Sequence, residues 1–301
     1  MSLDTLKTRL KRHLASTGAG FGVIETAIPG VLIGYAGGQK LPDYAIYRPA
    51  IGVVVQGAKQ VWLGDQVLDY REGEALLVGA SLLAKGVITR ASAATPFIGL
   101  SIELDMALLR EVAAVSNLPA VPNRSPSGLS VHRLDPGILE CLARLVALLD
   151  EPDALPALYP ALLRELSYWL LSGTTGTDLR AALLPSGPSQ GIERVLTLLR
   201  REFAAPLHSR ELSTEAGMSP SSFHRHFKAM THTTPVNYQK QLRLVEARRL
   251  LDAGGGNVTQ TAMAVGYESP AQFSRDYSRF FGVAPKRDSL QRRLQLTTGP
   301  S

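Results

Sequence analysis

The sequence predicts two domains, an N-terminal antiparallel β-barrel with trailing helices and an all-α C-terminal domain. At 301 residues the chain exceeds the length of about 250 to 300 residues at which single cores stop growing. Short apolar runs separated by glycine fill its first third, and helical patterns broken by proline fill its last third. A Gly-, Thr-, Ser- and Pro-rich stretch lies between them. We expect domains at 1–171 and 191–301 and a linker at 172–190.

The composition is that of a globular protein, with 45% hydrophobic and 19% charged residues, which excludes wholesale disorder and fibrous folds. The single cysteine, Cys141, cannot form an internal disulfide, which fits a reducing compartment. Residues 1–14 lack the apolar run of a signal peptide, and no later run is long enough to span a bilayer. We therefore expect a cytoplasmic protein without a membrane segment.

The charge is concentrated at one end of the chain. Residues 1–189 contain sixteen Lys and Arg against seventeen Asp and Glu, whereas residues 190–301 contain sixteen against nine. A basic C-terminal region favours a polyanionic partner such as nucleic acid. Excess arginine also solvates ordinary surfaces, so charge alone does not decide the function.

The N-terminal region is predicted to contain β-strands. Turn signals at 57–59, 64–66 and 71–73 separate them, and strands recur about every dozen residues without intervening helices. This spacing indicates an antiparallel sandwich or barrel rather than a parallel sheet. The clearest strand runs are Ile51–Gln56, Gln60–Leu63, Ala75–Val78 and Phe97–Ile102.

Helices are expected after the strands, at 105–115, 136–149 and 159–171, the last with Pro160 in its first turn. The second and third carry apolar stripes that could pack on each other as a hairpin or on a second copy of the chain. We expect a homodimer through 136–171. The stripes contain Leu139, Leu142, Val146 and Leu149, and Leu162, Leu166, Trp169 and Leu170.

A repeat marks the C-terminal region. The pattern Ser-Pro-x-x-Phe-x-Arg-x-aromatic occurs at 219–227 and again at 269–277, fifty residues later. Serine is a preferred N-cap, proline fits the first helical position, and aromatics four residues apart share one helix face. Each copy is therefore the start of an amphipathic helix whose aromatic face points inward.

A glycine, Gly217 or Gly266, precedes each copy and follows a short helical stretch. A short helix, a tight turn and a capped second helix together make the helix-turn-helix arrangement, in which the second helix enters the DNA major groove. The outward residues have side chains that read base edges or contact phosphates. The predicted DNA-binding residues are Ser221, Ser222, His224, Arg225 and Lys228 in the first unit, and Gln272, Ser274, Arg275 and Arg279 in the second.

A helix at 235–251 is expected to connect the two units, with Tyr238, Leu242 and Val245 inward. We expect the glycines at 254–256 to end this helix. They do not form a phosphate-binding loop, because no strand or lysine is placed where such a loop requires it.

These motifs resemble the AraC/XylS transcription regulators over residues 192–285. The resemblance implies a sequence-specific regulator that binds double-stranded promoter DNA and acts with RNA polymerase. Three departures concern turn geometry: Ser213 replaces a small apolar residue, His232 replaces a glycine, and 286–288 replaces a tyrosine-arginine pair. The matching pieces beyond the first unit are Thr234-Pro235-x-x-Tyr238, Arg243-Leu244-x-x-Ala247-x-x-Leu250-Leu251, Val265-Gly266-Tyr267 and 281–285.

The segment 44–105 resembles the cupin-type N-terminal domain of one branch of this family, at 47–49, 53–57 and 101–105. That resemblance implies that the domain senses a small-molecule effector. The sequence does not identify the effector-binding residues; Trp62 and Tyr70 could line a pocket or belong to the core.

Two rival functions differ in class. A cupin-type enzyme domain could be fused to a DNA-binding tail, but residues 1–189 hold only His13 and His132, both outside the strands, so no metal, cofactor or catalytic residue is expected. The β-domain could instead serve only for dimerisation.

Three arginines also have alternative roles. Arg225 and Arg275 could clamp a carboxylate rather than bind DNA, and Arg243 could brace the two units.

Overall fold

The structure is a computed structural model that describes residues 3–39, 43–119, 127–184, 187–254 and 256–297. Its contacts divide the chain into two compact units. The first contains the chain up to Glu193 together with Ala229–His232, and the second contains Arg194–Lys228 and the chain from Thr233 onward. The predicted fold class is confirmed: an antiparallel β-domain is followed by a helical domain with helix-turn-helix units.

In its described residues the first unit contains ten strands in two antiparallel sheets. The six-stranded sheet has the order β1-β2-β9-β4-β7-β10, and the four-stranded sheet has the order β3-β8-β5-β6. All four of the clearest predicted runs are strands, whereas β1 and β10 were not predicted. The strands are β1 Gly22–Glu25, β2 Val31–Ala36, β3 Asp43–Tyr47, β4 Ala50–Gln56, β5 Ala58–Leu63, β6 Gln66–Arg71, β7 Glu74–Val78, β8 Leu82–Arg90, β9 Phe97–Glu103 and β10 Leu129–Arg133.

Helices cover one face of the six-stranded sheet. Along β9 the side chains of Ile98 and Ile102 are fully buried against this helical layer, while Gly99 and Ser101 alternate with them on the opposite face. The helices are α1 Leu3–Thr17, α2 Met106–Val115, α3 Pro136–Ala147, α4 Leu155–Ser172 and α5 Gly176–Leu183, with 3₁₀ turns at Leu148–Asp150 and Pro152–Ala154.

Most side chains of the two apolar stripes of α3 and α4 are buried within one chain, although Trp169 is 37% exposed, so the stripes as a whole do not form the expected dimer contact. Leu142 and Leu170 are fully buried, and Val146 and Leu166 nearly so, in the core cluster that also contains the sheet residues. Six strands spaced about 4.8 Å apart span roughly 25 Å, whereas one helix is about 10 Å wide. Several helices are therefore needed to cover the sheet, and both stripes are used for this purpose.

Two boundaries differ from those expected. Helix α4 begins at Leu155 rather than at 159, with Pro156 in its first turn, and Pro160 therefore lies inside the helix. Helix α5 lies inside the segment 172–190 that composition marked as a linker. Its apolar residues recur at helical spacing, and Leu179 and Leu183 join the core of the first unit, so this stretch is packed rather than extended.

The second unit is helical throughout. Its elements are α6 Pro188–Arg201, which begins in the first unit, α7 Ser209–Ala216, α8 Pro220–Thr231, α9 Pro235–Asp252, α10 Val258–Ala264, α11 Pro270–Phe281 and α12 Pro285–Thr297. In the part of the chain that the structure describes, no helix is long and apolar enough to cross a membrane.

The connecting helix α9 is buried on more than one side. Tyr238 and Leu242 are buried as predicted, but Val245 is only half-buried and Leu244 and Ala247 are fully buried instead. Leu244 and Ala247 belong to the core of the second helix-turn-helix unit. A helix that packs on both units needs apolar residues around more of its circumference than a single stripe provides.

Candidate functional site

The first helix-turn-helix unit consists of α7, a turn at Gly217 and α8. Gly217 has φ 70°, a left-handed conformation that glycine adopts without steric cost. Its amide donates to the carbonyl of Thr214 at 2.9 Å, which closes the end of α7. The hydroxyl of Ser219 accepts from the amide of Ser222 at 3.4 Å and caps α8, as predicted.

The second unit repeats this construction with α10, Gly266 and α11. The amide of Gln260 donates to Oδ1 of Asn257 at 2.9 Å and the amide of Asn257 donates to Oε1 of Gln260 at 3.0 Å, a reciprocal cap at the start of α10. Gly266 has φ 84°. The hydroxyl of Ser269 accepts from the amide of Gln272 at 3.3 Å, so the repeated serine caps both second helices.

The aromatic side chains of both second helices face inward, as the repeat predicts. Phe223, Phe227, Phe273 and Tyr277 are all fully buried. The rings of Phe223 and Phe227 lie 5.6 Å apart and those of Phe273 and Tyr277 lie 5.5 Å apart, the distance at which aromatic pairs attract. Anchoring this face fixes the rotation of each helix and leaves the opposite face in solvent.

The predicted DNA-binding residues lie on that opposite face of α8 and α11. Ser222 and Ser274 are half-buried. The other seven are exposed: Ser221, His224, Arg225, Lys228, Gln272, Arg275 and Arg279. The two helices therefore present hydroxyl, amide, imidazole and cationic groups to solvent, the groups that read bases and contact phosphates.

The acidic residues of the second unit are mostly neutralised away from these faces. Six of them form ion pairs, for example Asp276 with Lys240 at 3.2 Å. The others are Glu202, Glu215, Glu246, Asp252 and Asp288. Among the described residues, no carboxylate lies within ion-pair distance of the four cations Arg225, Lys228, Arg275 and Arg279.

Two histidines near the first recognition helix are held by neighbours. His224 shares a hydrogen bond of 2.7 Å between its Nε2 atom and the hydroxyl of Ser209. His226 is half-buried, and its Nε2 atom lies 3.3 Å from the Nη2 atom of Arg225. Burial and the adjacent cation of Arg225 both lower the pKa of His226. This pair also limits the rotamers that Arg225 can adopt.

Arg243 braces the second unit. Its guanidinium donates to the carbonyl oxygens of Phe203 at 2.7 Å and Gly266 at 2.8 Å, and also to those of Ala204 and Ala205 at 3.1 Å. Burial lowers its pKa, although guanidinium remains charged at any neutral pH. All its donors are directed at backbone, so it holds the loop after α6 and the turn of the second unit together.

Each departure from the family motif has a local arrangement. Ser213 is buried, and its hydroxyl donates to the carbonyl of Arg210 at 2.8 Å, so the polar group is satisfied. Asp288 accepts from Arg248 at 2.8 Å and from the hydroxyl of Tyr277 at 2.8 Å. His232 has φ 53°, the left-handed conformation that the usual glycine supplies.

The first unit contains a cavity of about 770 Å³ between its two sheets. Its walls include residues of β2, β4, β7 and β9 from one sheet and of β3, β5 and β6 from the other. Of the two aromatic residues considered as lining, Tyr70 lines the cavity and Trp62 does not. The Trp62 ring instead lies under the ammonium of Lys85, 4.2 Å from its centroid.

A lysine and two tyrosines meet in this cavity. All three side chains line the cavity, and the ammonium of Lys59 lies 5.4 Å from the centroid of the Tyr47 ring. The sequence placed Lys59 in a turn, because Gly57 and its neighbours read as one turn signal. In fact Gly57 makes the turn, with φ 95°, and β5 begins at Ala58. Within the described ranges, no group of three His, Cys, Asp or Glu side chains is arranged to hold a metal.

Comparison with known families identifies the chain. Residues 27–178 match the family described as AraC-type transcriptional regulator N-terminus, and residues 212–293 match the helix-turn-helix domain family. The first match covers just over half of the chain. The protein therefore belongs to the AraC-type transcriptional regulators.

Curated relatives match this chain over part of its length. The HTH-type transcriptional regulator ArgR of Pseudomonas aeruginosa is 30% identical over 102 residues, which is 34% of this chain and 31% of its own length. The HTH-type transcriptional activator RhaS of Pectobacterium carotovorum is 31% identical over 97 residues, 32% of this chain and 35% of its own. These matches thus span about a third of each curated relative.

A solved structure of an apo ToxT variant from Vibrio cholerae covers 88% of this chain and 99% of its own, with a TM-score of 0.51 and 10% identity. At this identity the likeness concerns the fold alone.

Proposed function

We propose that this protein is a sequence-specific regulator of transcription that binds promoter DNA through α8 and α11. The observation that carries the proposal is the pair of capped helices, each fixed by buried aromatics and each exposing cations that lie beyond ion-pair distance of every carboxylate in the described part of the chain. DNA attracts such cations through released counterions, and exposed hydroxyl, amide and imidazole groups supply base contacts. Membership in the AraC-type family supports the same role.

In this proposal, different residues of the two recognition helices contact bases and phosphates. Arg225 and Arg275 occupy the same position in the repeat, three residues after Ser222 and Gln272 respectively, and each is exposed. We assign them bidentate contacts to guanine, the commonest arginine readout. Lys228 and Arg279 lie one turn further along and are assigned to phosphates. Arg243 takes no part in reading bases and preserves the spacing of the units.

The N-terminal domain is proposed to bind a small-molecule effector in the cavity between its sheets. A volume of about 770 Å³ is within the range of small-molecule sites. We assign this domain to binding rather than to catalysis, because the family consists of regulators. By the same resemblance RNA polymerase is the proposed protein partner, and the cytoplasm is the expected location.

A homodimer is also proposed, through the outer face of α4. Leu142 and Val146 are buried and unavailable, but Leu158 is 48% exposed and Trp169 is 37% exposed. Eleven residues separate these two, three helical turns, so they lie on one face. Sedimentation at micromolar concentration tests the proposal, and Leu158→Glu should shift the species to monomer while Tm is retained.

Selection of binding sites from random duplex DNA with the full chain tests the regulator proposal. The expected result is one enriched motif with two half-sites, bound with an affinity that falls steeply as salt rises. The double variant Arg225→Ala with Arg275→Ala should lose the motif. Enrichment of no sequence at low salt would refute the proposal.

A further inference from the structure

We infer that Ser209 on α7 is a positioning residue for base recognition: its hydroxyl holds the imidazole of His224 so that the Nδ1 atom meets the DNA. The inference rests on the proposed function, because it concerns how the first recognition helix reads its half-site. Neither the repeat nor the charge distribution indicates Ser209, which lies before the repeated segment 219–227. The role follows from a contact between the two helices of the first helix-turn-helix unit.

This contact joins the start of α7 to the exposed face of α8. The Oγ atom of Ser209 lies 2.7 Å from the Nε2 atom of His224, which is a hydrogen bond of full strength by distance. Both residues are exposed. The hydrogen bond therefore restrains a side chain on the face of α8 that the proposed function assigns to DNA, rather than one in the aromatic core beneath it.

Ser209 is carried by a helix that is fixed at both ends. At the start of α7 the amide of His208 donates to Oε2 of Glu211 at 3.2 Å. At its end the guanidinium of Arg194 donates to the last two carbonyl oxygens of α7, at 3.2 and 3.3 Å. The hydroxyl of Ser209 is thus presented to His224 from a stable support.

The ring of His224 is restrained on a second side. It lies against the fully buried ring of Phe223, with the centroids 5.3 Å apart and the planes at 58°. An exposed side chain otherwise exchanges among rotamers, and ordering it at an interface costs free energy. Ser209 and Phe223 together remove part of that cost before DNA binds.

The hydrogen bond also decides which nitrogen is left for DNA. A neutral imidazole has one donor and one acceptor nitrogen, and the partner of one nitrogen sets the role of the other. With Nε2 of His224 occupied by Ser209, Nδ1 remains. Phosphate oxygens and most atoms on the major-groove edges are acceptors, so Nδ1 must carry the proton to bind them. The Ser209 hydroxyl then donates to Nε2, and Nδ1–H donates to DNA.

The second helix-turn-helix unit cannot form this contact. Ser209 is the first residue of α7, and Val258 is the first residue of α10. Ser274 stands at the repeat position of His224. Valine has no hydrogen-bonding side chain, so the two recognition helices present differently supported side chains to their half-sites.

Binding of the full chain to its selected motif, with every single-base variant of the motif as competitor, tests the inference. His224→Ala first locates the base pair that His224 reads, and the absence of any such base pair would overturn the inference. Ser209→Ala should weaken binding about threefold to tenfold and relax preference at that same base pair. Preference at the base pair assigned to Arg225 should stay intact.

A double variant separates positioning from direct contact. If Ser209 acts through His224, adding Ser209→Ala to His224→Ala should change affinity by less than about 1.5-fold. If the hydroxyl instead touches DNA itself, the second change weakens binding further and equally on all sequences, which overturns the inference. Ser209→Thr retains the hydroxyl and should keep the preference of the unaltered chain, whereas a loss equal to that of Ser209→Ala would count against the role.

Thr214→Ala is the matched control on the same helix. Thr214 is exposed, and its hydroxyl donates to the carbonyl oxygen of Arg210 at 3.0 Å. It lies five residues after Ser209 and hence about 140° round the helix. This variant should bind and discriminate like the unaltered chain, and losses equal to those of Ser209→Ala would overturn the inference. Urea midpoints verify that all variants are folded.

Nitrogen NMR of the full chain bound to its motif gives a readout that a change in stability does not move. In protein containing isotope-labelled histidine, the signals of His224 are identified by their absence from His224→Ala. Nε2 should resonate as an acceptor and Nδ1 as a protonated nitrogen, and Ser209→Ala should shift both towards a mixture of tautomers. Unchanged shifts would overturn the inference. A chain that selects no motif refutes the regulator and this role together, whereas a motif that Ser209→Ala reads equally well refutes only the role of Ser209.

Discussion

The guanidinium of Arg243 donates a hydrogen bond of 2.8 Å to the carbonyl oxygen of Gly266, and so joins the connecting helix α9 to the turn of the second helix-turn-helix unit. The same turn is pressed against the loop after α6, since a Cβ atom at Gly266 would lie 2.1 Å from the carbonyl oxygen of Ala204. The position of the second recognition helix thus depends on a polar contact and a close backbone approach at one place.

Arg243→Met should destabilise the protein by about 3 kcal/mol, because four backbone carbonyls lose a charged donor. Urea unfolding followed by circular dichroism measures the loss. Arg249→Met is the control, since Arg249 is exposed and, among the described residues, its ion pair is with Glu246 on its own helix, so its loss should change stability little. If both variants unfold at the same urea concentration, Arg243 is not a brace.

Two glycines with the same backbone conformation should respond differently to alanine. Gly282→Ala should cost about 1 kcal/mol, because φ is 77° but a Cβ atom would meet nothing within 4 Å. Gly266→Ala has a similar φ and also overlaps backbone, so it should cost well over 2 kcal/mol. The comparison uses the midpoint of thermal unfolding of each full-length variant. Equal midpoints would show that the chain relieves the overlap at Gly266 without a cost in stability.

Arg225→Ala and Arg275→Ala should each weaken binding to the selected motif by about 1 to 3 kcal/mol and relax preference at different base pairs. The two positions should lie about 10 base pairs apart, because tandem units on one connector meet successive major grooves. Competition binding with every single-base variant of the motif measures this. Arg249→Ala is the matched loss of charge and should leave preference intact. Uniform weakening on all sequences would assign both arginines to phosphates.

Alkaline pH should destabilise the first unit through Tyr70. A tyrosine in the unfolded chain titrates near 10.0, whereas burial raises the pKa of Tyr70 to about 12 in the fold. A raised folded pKa stabilises the fold below the unfolded value and loses that contribution as pH rises through the folded one. Stability should therefore fall between pH 10 and about 12, by about 2 kcal/mol from this residue. In Tyr70→Phe the fall should be shallower when urea midpoints are compared across this range.

The recognition helices could be predicted because their determinants are local. Nine residues encode a cap, a first-turn proline and two aromatics four residues apart, and the buried Phe223 and Phe273 bear this out. The same holds for α2, whose start is fixed by Asp105 accepting from the amide of Ala107 at 2.8 Å. Apolar runs separated by turn signals likewise predicted β4 and β9.

What could not be predicted depends on contacts between residues distant in sequence. Strand β10 has little apolar pattern of its own and exists because it pairs with β7, some fifty residues earlier. Lys59, Tyr47 and Tyr70 come from three strands, and only the pairing of those strands brings them into one cavity. Arg243 had equally good readings as a brace or as a DNA contact until the carbonyls around it were located.

The alternation along β9 separates two kinds of evolutionary freedom. Ile98 and Ile102 lock the sheet to its helices and tolerate little change, whereas Ser101, like Gly52 opposite it on β4, faces the cavity. Descendants of this protein can therefore exchange the second set, reshaping what the cavity accepts, without disturbing the first. The residues that stabilise the fold and the residues that line the cavity alternate along one strand. The ligand preference can therefore change during evolution while the fold is kept.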